Sequence, residues 1–375
     1  MSSKPKLTIV QVLPALTTGG VERGAIDLST ELLEKGFRPL IISEGGELTS
    51  ELYDLKIEHI PLEIGRKKLS TLLLIRRLSE IFLNEKVNVI HARSRLPAWI
   101  SKLALNRIKG IRKISWLTTV HGPYTVNPYS KIMTSGEKVI AVSDFIKNYI
   151  LCNYNIDPEK IVTIPRGIDV KKYYPKYKPD KDWFDCSTLK EQWLVGKPIL
   201  TLPGRLTRWK GQEQFINLLF NLKNRGLEFH GLIVGGAHKN KIGYREFLQK
   251  KIETLGLSNQ VTILGNRKDL RQIMAISKVT FSLTQKPEAF GRTTAESLSL
   301  GTPVIGYNHG GTGEILKKWF PSGLVNPFMI NEAADRVAMF LQEPQIVPPE
   351  NPFPLQNMLD STIKIYQEIS DEKHK

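Results

Sequence analysis

Short apolar runs alternate with longer amphipathic stretches along most of the chain. In the first half, the apolar runs predict strands over 7–13, 39–43, 87–91, 115–120 and 138–142. In the second half, they predict strands over 198–202, 228–234, 260–264, 279–283 and 302–307. This alternation predicts an α/β protein in which two parallel sheets each carry helices on both faces.

Capping residues and helical periodicity mark the helices between these strands. Helices are predicted from Gly19-Gly20 to Gly36, over 69–83 and 97–108, from Ser143-Asp144 onward, and over 295–300 and 358–369.

The predicted domains are divided by two aperiodic stretches. Residues 173–181 are rich in Tyr, Lys and Pro, and residues 344–354 hold five prolines. We therefore predict an N-terminal domain over 1–176, a linker over 177–195, a C-terminal domain over 196–349, and a final helical segment over 350–375.

Composition places the chain among soluble globular proteins with a basic excess. Its 375 residues are 41% hydrophobic and 24% charged, and the formal net charge is +16. Thirteen lysines and arginines face only two glutamates between Arg66 and Lys113. Such an excess favours phosphate-bearing partners, which could be nucleotides, nucleic acid or an anionic membrane.

The cysteines and the apolar runs bear on location. The two cysteines, Cys152 and Cys186, lie far apart and lack metal-ligand spacing, which favours a reducing compartment. No secretory signal and no apolar run of transmembrane length is read. We expect a cytoplasmic protein whose membrane contact, if any, is peripheral on the inner face of the cytoplasmic membrane.

The most informative motif runs from Pro287 to Glu296. Glu288 is predicted on a strand-to-helix loop, and Glu296 lies within the following helix. A helical path would separate the two carboxylates by about 12 Å, too far for one metal ion to bridge. They suit an elongated ligand whose phosphates lie at the helix N-terminus between them. The alternative is two surface glutamates that flank a helix start.

Two loops that follow predicted strands suit phosphate groups. Gly19-Gly20 would let backbone N–H groups approach an anion, although the pair could equally form a plain tight turn. It lacks the full G-x-G-x-x-G fingerprint, which disfavours a dinucleotide-dependent oxidoreductase. Arg205 and Lys210 bracket a turn and could hold a diphosphate, or they could belong to an exposed basic loop.

Two further groups follow strands of the first domain. Arg93 and Arg95 lie where open α/β sheets bind ligands, and the alternative is a solvated basic loop. His121 ends another strand, and its alternative role is structural. Residues 66–83 could form a helix that lies on a membrane. We favour instead a helix that covers the sheet and keeps its apolar stripe in the core. Its cations could still steer the chain to an anionic leaflet.

Four separated motifs occur in one order: Gly19-Gly20, His121-Gly122, Gly204-Arg205-Leu206 with Lys210-Gly211, and Glu288 with Glu296. Together they resemble the retaining GT-B glycosyltransferases of family 4, also called glycosyl transferases group 1. The resemblance spans nearly the whole chain. It implies two Rossmann-like doubly wound domains facing a cleft, with a C-terminal helix that crosses back to the first domain. It also implies transfer of a sugar from a nucleoside-diphosphate donor to a glycan hydroxyl with retained anomeric configuration.

The same resemblance implies roles for individual residues. Arg205 and Lys210 would clamp the diphosphate, Glu288 would bind sugar hydroxyls and Glu296 the ribose. His121 would contact the transferred sugar. The implied catalytic residues are His121, Arg205, Lys210 and Glu288. Further donor contacts would come from Gly19, Gly20, Asn266, Phe290, Gly291, Arg292 and Thr293. Arg292 departs from the hydrophobic residue common in the family, and it could contact a phosphate or be solvated. No metal or other cofactor is expected.

The acceptor side is also implied by resemblance. Arg93, Arg95 and Arg166, the last standing where many relatives have Asn, would meet an anionic glycan or lipid-linked acceptor. The stretch resembles bacterial envelope-glycan transferases, which implies lipopolysaccharide or cell-envelope polysaccharide biosynthesis. The rivals are a nucleotide-sugar epimerase or hydrolase of the same fold and a non-enzymatic nucleic-acid-binding protein. We expect no nucleic-acid partner, because aromatic residues do not interleave with the basic run.

Overall fold

The computed structural model describes residues 7–17, 19–186, 196–236 and 242–374. Two compact units form: Met1–Pro165 with Gln356–Lys375, and Arg166–Leu355. The boundary between the units thus precedes residue 176, where the sequence placed the end of the first domain. Thr18 of the glycine motif and residues 187–195 of the predicted linker lie outside the described residues.

The first unit is built on a parallel sheet of seven strands among the described residues. The strands are β1 Thr8–Val12, β2 Arg38–Ser43, β3 Glu58–Pro61, β4 Val89–Ala92, β5 Ser115–Val120, β6 Lys138–Ala141 and β7 Ile161–Thr163. Its helices are α1 Gly20–Glu34, α2 Thr49–Asp54, α3 Leu74–Asn84, α4 Arg95–Arg107, α5 Pro128–Lys131 and α6 Asp144–Asn153. The strand order is β3-β2-β1-β4-β5-β6-β7.

The second unit repeats this plan with six parallel strands in its described part. They are β8 Ile199–Pro203, β9 His230–Val234, β10 Val261–Gly265, β11 Val279–Ser282, β12 Val304–Tyr307 and β13 Leu324–Val325. The helices are α7 Lys181–Cys186, α8 Gln212–Asn224, α9 Ile242–Thr254, α10 Leu270–Ile276, α11 Arg292–Ser299, α12 Gly310–Trp319 and α13 Ile330–Gln342. The strand order is β10-β9-β8-β11-β12-β13.

Both sheets reverse their strand order at one point, between β1 and β4 and between β8 and β11. In doubly wound sheets, the carboxyl ends of the two strands at this switch point leave a crevice in which ligands bind. The predicted glycine motif follows β1 and Arg93 follows β4, while Lys210 follows β8 and Glu288 follows β11. The predicted α/β class with two doubly wound parallel sheets is therefore confirmed.

The sequence predicted the central strands, which are buried on both faces, and also the edge strand β10. β1 and β5 have no exposed residue, as expected of parallel strands covered by helices on both sides. The missed strands β3, β7 and β13 are edge strands, and in β3 both end residues are exposed. Their short, half-buried sequences carry too few apolar residues to be recognised.

Local signals placed several helix ends correctly. Ser143 caps α6 by accepting a hydrogen bond from the Ile146 N–H at 3.1 Å. Gly36 follows α1 with a φ of +78°, the left-handed conformation expected of a helix-ending glycine. The helix predicted from residue 295 begins earlier, at Arg292, because Gly291 rather than the threonines ends the loop.

The amphipathic helix predicted over 69–83 is divided in the structure. Residues Leu69–Leu73 form a 3₁₀ helix, and only Leu74–Asn84 is α-helical. Leu78 is fully buried as expected, but Leu69 is 89% and Leu73 79% exposed. The expectation that the whole apolar stripe stays in the core is therefore wrong for its first turn.

The last helix, α14 Leu355–His374, packs in the first unit through buried polar contacts. Tyr366 Oη lies 2.7 Å from His91 Nδ1, and Ser115 Oγ donates to the Ile369 carbonyl at 2.7 Å. At the surface, Lys35 Nζ meets Asp360 Oδ1 at 2.6 Å. Side chains from β4 and β5 thus hold the C-terminal helix.

We expect Tyr366→Phe to lower the free energy of unfolding by about 1–3 kcal/mol, because it leaves buried polar partners without their hydrogen bond. Urea unfolding of the full chain measures the change. Tyr53→Phe is the matched control, since Tyr53 is 82% exposed and should change stability by less than about 0.5 kcal/mol. Equal effects of the two variants would contradict the structural role of this hydroxyl.

Candidate functional site

An ion pair lies at the switch point of the second unit. Lys210 Nζ lies 2.5 Å from Glu288 Oε1, and each side chain is 17% exposed. Lys210 ends a 3₁₀ turn after β8, and its side chain packs over Gly204. Two residues predicted to bind different parts of one ligand are therefore bonded to each other.

A glycine holds the Lys210 loop against the sheet. Gly211 follows Lys210 with a φ of +84°, and a Cβ there would lie 2.0 Å from the Leu283 carbonyl oxygen. No other residue fits without moving the backbone of β11's carboxyl end. The close packing of Gly211 against the end of β11 thus fixes the position of the turn that carries Lys210.

Arg205, the other predicted diphosphate ligand, is placed differently. Its side chain is exposed, and it has no carboxylate partner among the residues that the structure describes. The Gln212 side chain donates to the Arg205 carbonyl at 3.0 Å, which fixes the backbone below the guanidinium. Arg205 therefore offers a solvated positive charge on the same loop as Lys210.

The N-termini of α11 and α12 meet beside Glu288. The Gly311 N–H donates to the Glu288 carbonyl at 2.8 Å. A Cβ on Gly311 would lie 2.3 Å from the Phe290 carbonyl oxygen, and one on Gly291 would lie 2.8 Å from Thr312 Oγ1. Both helices direct N–H groups and the positive ends of their dipoles toward this place, an arrangement that stabilises bound anions.

The α12 side of this arrangement was not predicted from the sequence. His309 caps α12, and its Nε2 is buried without a hydrogen-bond partner among the described residues. Burial lowers the pKa of His309, and a backbone hydrogen bond with Thr284 and the charge of Glu288 oppose this effect. The available signal was Gly310-Gly311 after a predicted strand, the same pattern as Gly19-Gly20.

Other polar atoms around these loops are also buried without partners in the described part of the chain. They are the hydroxyls of Thr207, Thr284 and Thr294. A buried hydroxyl without a hydrogen bond is costly, so such atoms in one loop region are consistent with a polar ligand site.

Glu296, the second glutamate of the motif, is buried on α11. Arg292 Nε donates to Glu296 Oε1 at 2.9 Å, one turn earlier on the same helix. Burial raises the pKa of Glu296, and the charges of Arg292 and Lys172 oppose the rise. Arg292 thus pairs with Glu296. The sequence had led us to expect either contact with a phosphate or a solvated side chain, and neither expectation included this pair.

Three further predicted donor residues lie on the same unit. Phe290 is buried and packs edge-on against Phe353, with ring centroids 5.5 Å apart. Thr293 is half-buried in the first turn of α11. Asn266 is exposed after β10, and a Cβ on Gly236 would lie 3.2 Å from its Cβ. Their contacts with a donor stay predictions.

In the first unit, the glycine motif begins α1 as predicted. Gly19 caps the helix in an extended conformation, and Gly20 is its first residue. A Cβ on Gly19 would lie 2.3 Å from Glu22 Oε2, so the Glu22 carboxylate folds back over the helix N-terminus. This carboxylate already complements the positive end of α1.

Arg93 is not the solvated loop residue that one interpretation expected. It is 4% exposed, and its Nε donates to Gln11 Oε1 at 2.7 Å. Burial lowers the pKa of Arg93, opposed mainly by Tyr366 and Asp27. The guanidinium therefore joins β1, β4 and α14 inside the first unit.

Arg95 and His121 are brought together through Tyr124. The Arg95 guanidinium lies 4.9 Å from the Tyr124 ring centroid and 5.3 Å from that of Tyr129, and it donates to Ser130 Oγ at 3.2 Å. The His121 N–H donates to Tyr124 Oη at 3.4 Å. Both predicted residues are half-buried after neighbouring strands β4 and β5.

Three other features bear on the predicted chemistry. Arg166 is half-buried and belongs to the second unit. Among the described residues, no three His, Cys, Asp or Glu side chains form a group that could hold a metal ion. None of the described helices is both long enough and apolar enough to cross a bilayer.

Comparison with protein families matches both halves of the chain. Residues 18–172 match the family model described as Glycosyltransferase Family 4, and residues 188–352 match Glycosyl transferases group 1.

Solved structures are similar over almost the full length. A glycosyltransferase from Rickettsia africae is 33% identical with a TM-score of 0.83, covering 97% of this chain and 98% of its own. HepE from Anabaena, solved in complex with UDP-glucose, is 21% identical with a TM-score of 0.75, covering 98% of this chain and 99% of its own.

Among sequence relatives, an Escherichia coli UDP-Gal:alpha-D-GlcNAc-diphosphoundecaprenol alpha-1,3-galactosyltransferase is 26% identical, over 86% of this chain and 84% of its own. The spore coat protein SA of Bacillus subtilis is 23% identical over 65% of this chain. The match covers 66% of that protein, about two thirds of its length.

We expect Gly311→Ala to lower the free energy of unfolding by about 1–3 kcal/mol, because the added methyl group overlaps the Phe290 backbone. Thermal and urea unfolding measure the loss. Gly243→Ala is the control, since a Cβ there meets no atom within 4 Å. A Gly311→Ala chain as stable as the control would show that the two loops do not touch.

We expect Glu296→Gln to raise the stability of the chain increasingly as pH rises. The pKa of Glu296 is raised above its usual 4.5 by folding, so its contribution is lost as pH rises from that value through the folded pKa. Melting temperatures of both chains between about pH 4 and pH 8 measure the difference. A difference that is constant with pH, or largest in acid, would contradict the burial of this carboxylate.

Proposed function

The chain belongs to the glycosyltransferases, and we propose that it transfers a sugar from a nucleoside-diphosphate donor to a hydroxyl of a glycan or glycolipid, with retained anomeric configuration. The observation that carries the proposal is the Lys210–Glu288 pair beside the joined N-termini of α11 and α12. It places a cation, a carboxylate and convergent N–H groups at one switch point.

The charges of this site suit a diphosphate donor. A diphosphate needs cations and N–H donors, which Lys210, Arg205 and two helix N-termini supply. A sugar ring needs hydrogen-bond acceptors for its hydroxyls, which Glu288 supplies. Structures related in fold bind UDP-glucose, as HepE does, which supports a nucleotide-sugar donor here.

The ion pair suggests how donor binding begins. When a diphosphate approaches, Lys210 can exchange the Glu288 carboxylate for a phosphate oxygen. Glu288 is then released to accept hydrogen bonds from the sugar. The exchange keeps Lys210 charged and bonded throughout, so a half-buried ammonium is never left without a partner.

The departing diphosphate carries most of the charge that develops during transfer. Lys210 and the exposed Arg205 would stabilise it, and one such group typically contributes about 10²–10³ in rate. Because these residues supply the positive charge, the proposal includes no metal ion or other cofactor. Asn266, Phe290, Gly291, Arg292 and Thr293 would complete the donor contacts of this unit.

The second glutamate has a different environment and a different proposed role. Glu296 is buried against Arg292, and we assign it to the ribose hydroxyls. Its raised pKa reflects the cost of burying this carboxylate, which hydrogen bonds from ribose hydroxyls would offset.

The first unit would hold the acceptor and the transferred sugar. His121 and the glycine motif at Gly19-Gly20 follow strands β5 and β1, and Arg95 stands beside His121 on Tyr124. We propose that Arg95 meets an anionic group of the acceptor. The predicted acceptor role of Arg166, which belongs to the second unit, stays a prediction. Arg93, which is buried, would position the carboxyl ends of β1 and β4.

The relative from Escherichia coli acts on a diphosphoundecaprenol-linked sugar. This supports a lipid-linked acceptor and a place in lipopolysaccharide or other cell-envelope polysaccharide synthesis. The chain would then work in the cytoplasm, peripherally on the inner face of the cytoplasmic membrane.

The test is direct transfer with UDP-, GDP- and ADP-sugars and lipid-diphosphate-linked sugar acceptors. We expect one donor class to yield a new glycosidic product, and NMR coupling constants to show the donor's anomeric configuration. Donor consumption without glycan product would instead indicate a hydrolase or epimerase. Inverted product would overturn the retaining assignment alone.

We expect Arg205→Ala and Lys210→Ala each to lower kcat/KM by about 10²–10³, because each removes a cation that stabilises the diphosphate. Arg205 is exposed and unpaired with any described carboxylate, so its variant should melt like the parent. Lys250→Ala is the control, since it removes an exposed cation from α9. Parental rates for both site variants would exclude the clamp.

A further inference from the structure

The 3₁₀ turn before α3 displays leucines to solvent. Leu69 is 89%, Leu72 51% and Leu73 79% exposed; we call these three residues the leucine turn. All three lie on one short 3₁₀ element, whereas exposed large apolar residues on protein surfaces usually occur singly.

The backbone holds the leucines outward. Thr71 is 4% exposed, and its hydroxyl donates to the Arg66 carbonyl at 2.6 Å. Its N–H donates to the Lys68 carbonyl at 3.0 Å. Because the polar Thr71 takes the inward position of the turn, its apolar neighbours are left on the surface.

Four cations surround the leucine turn. Lys67, Lys68, Arg76 and Arg77 are all exposed, and we call them the basic flank. No acidic residue occurs from Lys67 to Ser79. Arg76 forms a solvent-exposed pair with Glu80, with side chains 80% and 56% exposed, which a competing anion can readily replace.

Arg66 differs from the basic flank, because it is bonded to Glu44 and Glu63. The neutralised Arg66 marks the edge of the patch. Beyond it, the exposed leucines lie between two pairs of exposed cations, of which Arg76 has the surface pairing with Glu80.

We propose that the leucine turn and the basic flank form a peripheral anchor that inserts into the headgroup region of an anionic lipid bilayer. The leucines would leave water for the acyl boundary while the cations meet lipid phosphates. This surface rests on the proposed function, since a lipid-linked acceptor requires the enzyme to work at a membrane.

Charge selects the lipid bilayer over other occupants. A partner protein would need a dense acidic patch to match four cations around three leucines, whereas every anionic leaflet presents negative charge above an apolar layer. Small size also favours the bilayer, because three leucines bury far less than the roughly 800 Å² per partner of a stable protein interface.

The experiment is sedimentation of the full chain with vesicles of phosphatidylcholine alone or with about one third phosphatidylglycerol. We expect binding to the anionic vesicles that weakens when salt shortens the Debye length from about 10 Å to about 3 Å. Leu69→Ser/Leu72→Ser/Leu73→Ser should weaken partitioning by at least about tenfold. Lys67→Gln/Lys68→Gln should weaken it severalfold.

Matched controls separate the patch from general charge and stickiness. Ile346→Ser removes an equally exposed apolar residue, 88% exposed, and should not change vesicle binding. Lys160→Gln/Lys250→Gln removes the same charge as the lysine variant from elsewhere and should have little effect. Equal losses from the patch variants and these controls would overturn the proposal, as would parental binding by the triple-leucine variant.

Two readouts distinguish this proposal from its rivals and from the proposed function. If the leucines instead cover a second copy of the chain, analytical ultracentrifugation will show a dimer that the triple-leucine variant dissolves, which would overturn the bilayer assignment. The same variant should keep the parent's melting temperature and its thermal shift with UDP-glucose. Vesicle binding without any sugar transfer would contradict the proposed function but not the proposed membrane anchor.

Discussion

The candidate site depends on the close approach of two helix N-termini, which glycine alone permits. Gly291 and Gly311 each lie within van der Waals overlap of the opposite loop if a methyl group is added. Without a side chain at these positions, α11 and α12 bring their N–H groups to the same place, and the Glu288 carbonyl bonds directly to α12. The position of Glu288, and with it the Lys210 pair, follows from this contact.

Much of the fold was predictable because the central strands are buried on both faces and therefore read as continuous apolar runs. The edge strands β3, β7 and β13 were missed for another reason: β3 is largely polar, and β7 and β13 are only three and two residues long, too short to give a recognisable apolar run. The leucine turn was misread for a related reason: periodicity alone placed Leu69 and Leu73 in the core, whereas the buried Thr71 turns them outward.

The candidate site was predictable in its residues but not in its bonds. The motif identified Lys210, Glu288, Arg292 and Glu296, yet it separated the cations from the carboxylates. In the folded chain each basic residue of the motif, apart from Arg205, has taken a carboxylate partner. Pairing across seventy-eight residues depends on sheet order, which no local spacing records. His309 was missed because only its burial at the start of α12 distinguishes it, and local sequence does not record burial.

The contact between His91 and Tyr366 joins residues 275 positions apart. The second unit is one continuous segment, so all of its strands leave the ribosome before α14 is synthesised. The first unit, although its first segment is synthesised earlier, obtains the hydroxyl that meets His91 and Arg93 only after the whole second unit has been synthesised. Until α14 is synthesised, the sheet of the first unit lacks one covering helix. The second unit, although it is synthesised later, can therefore complete its core first.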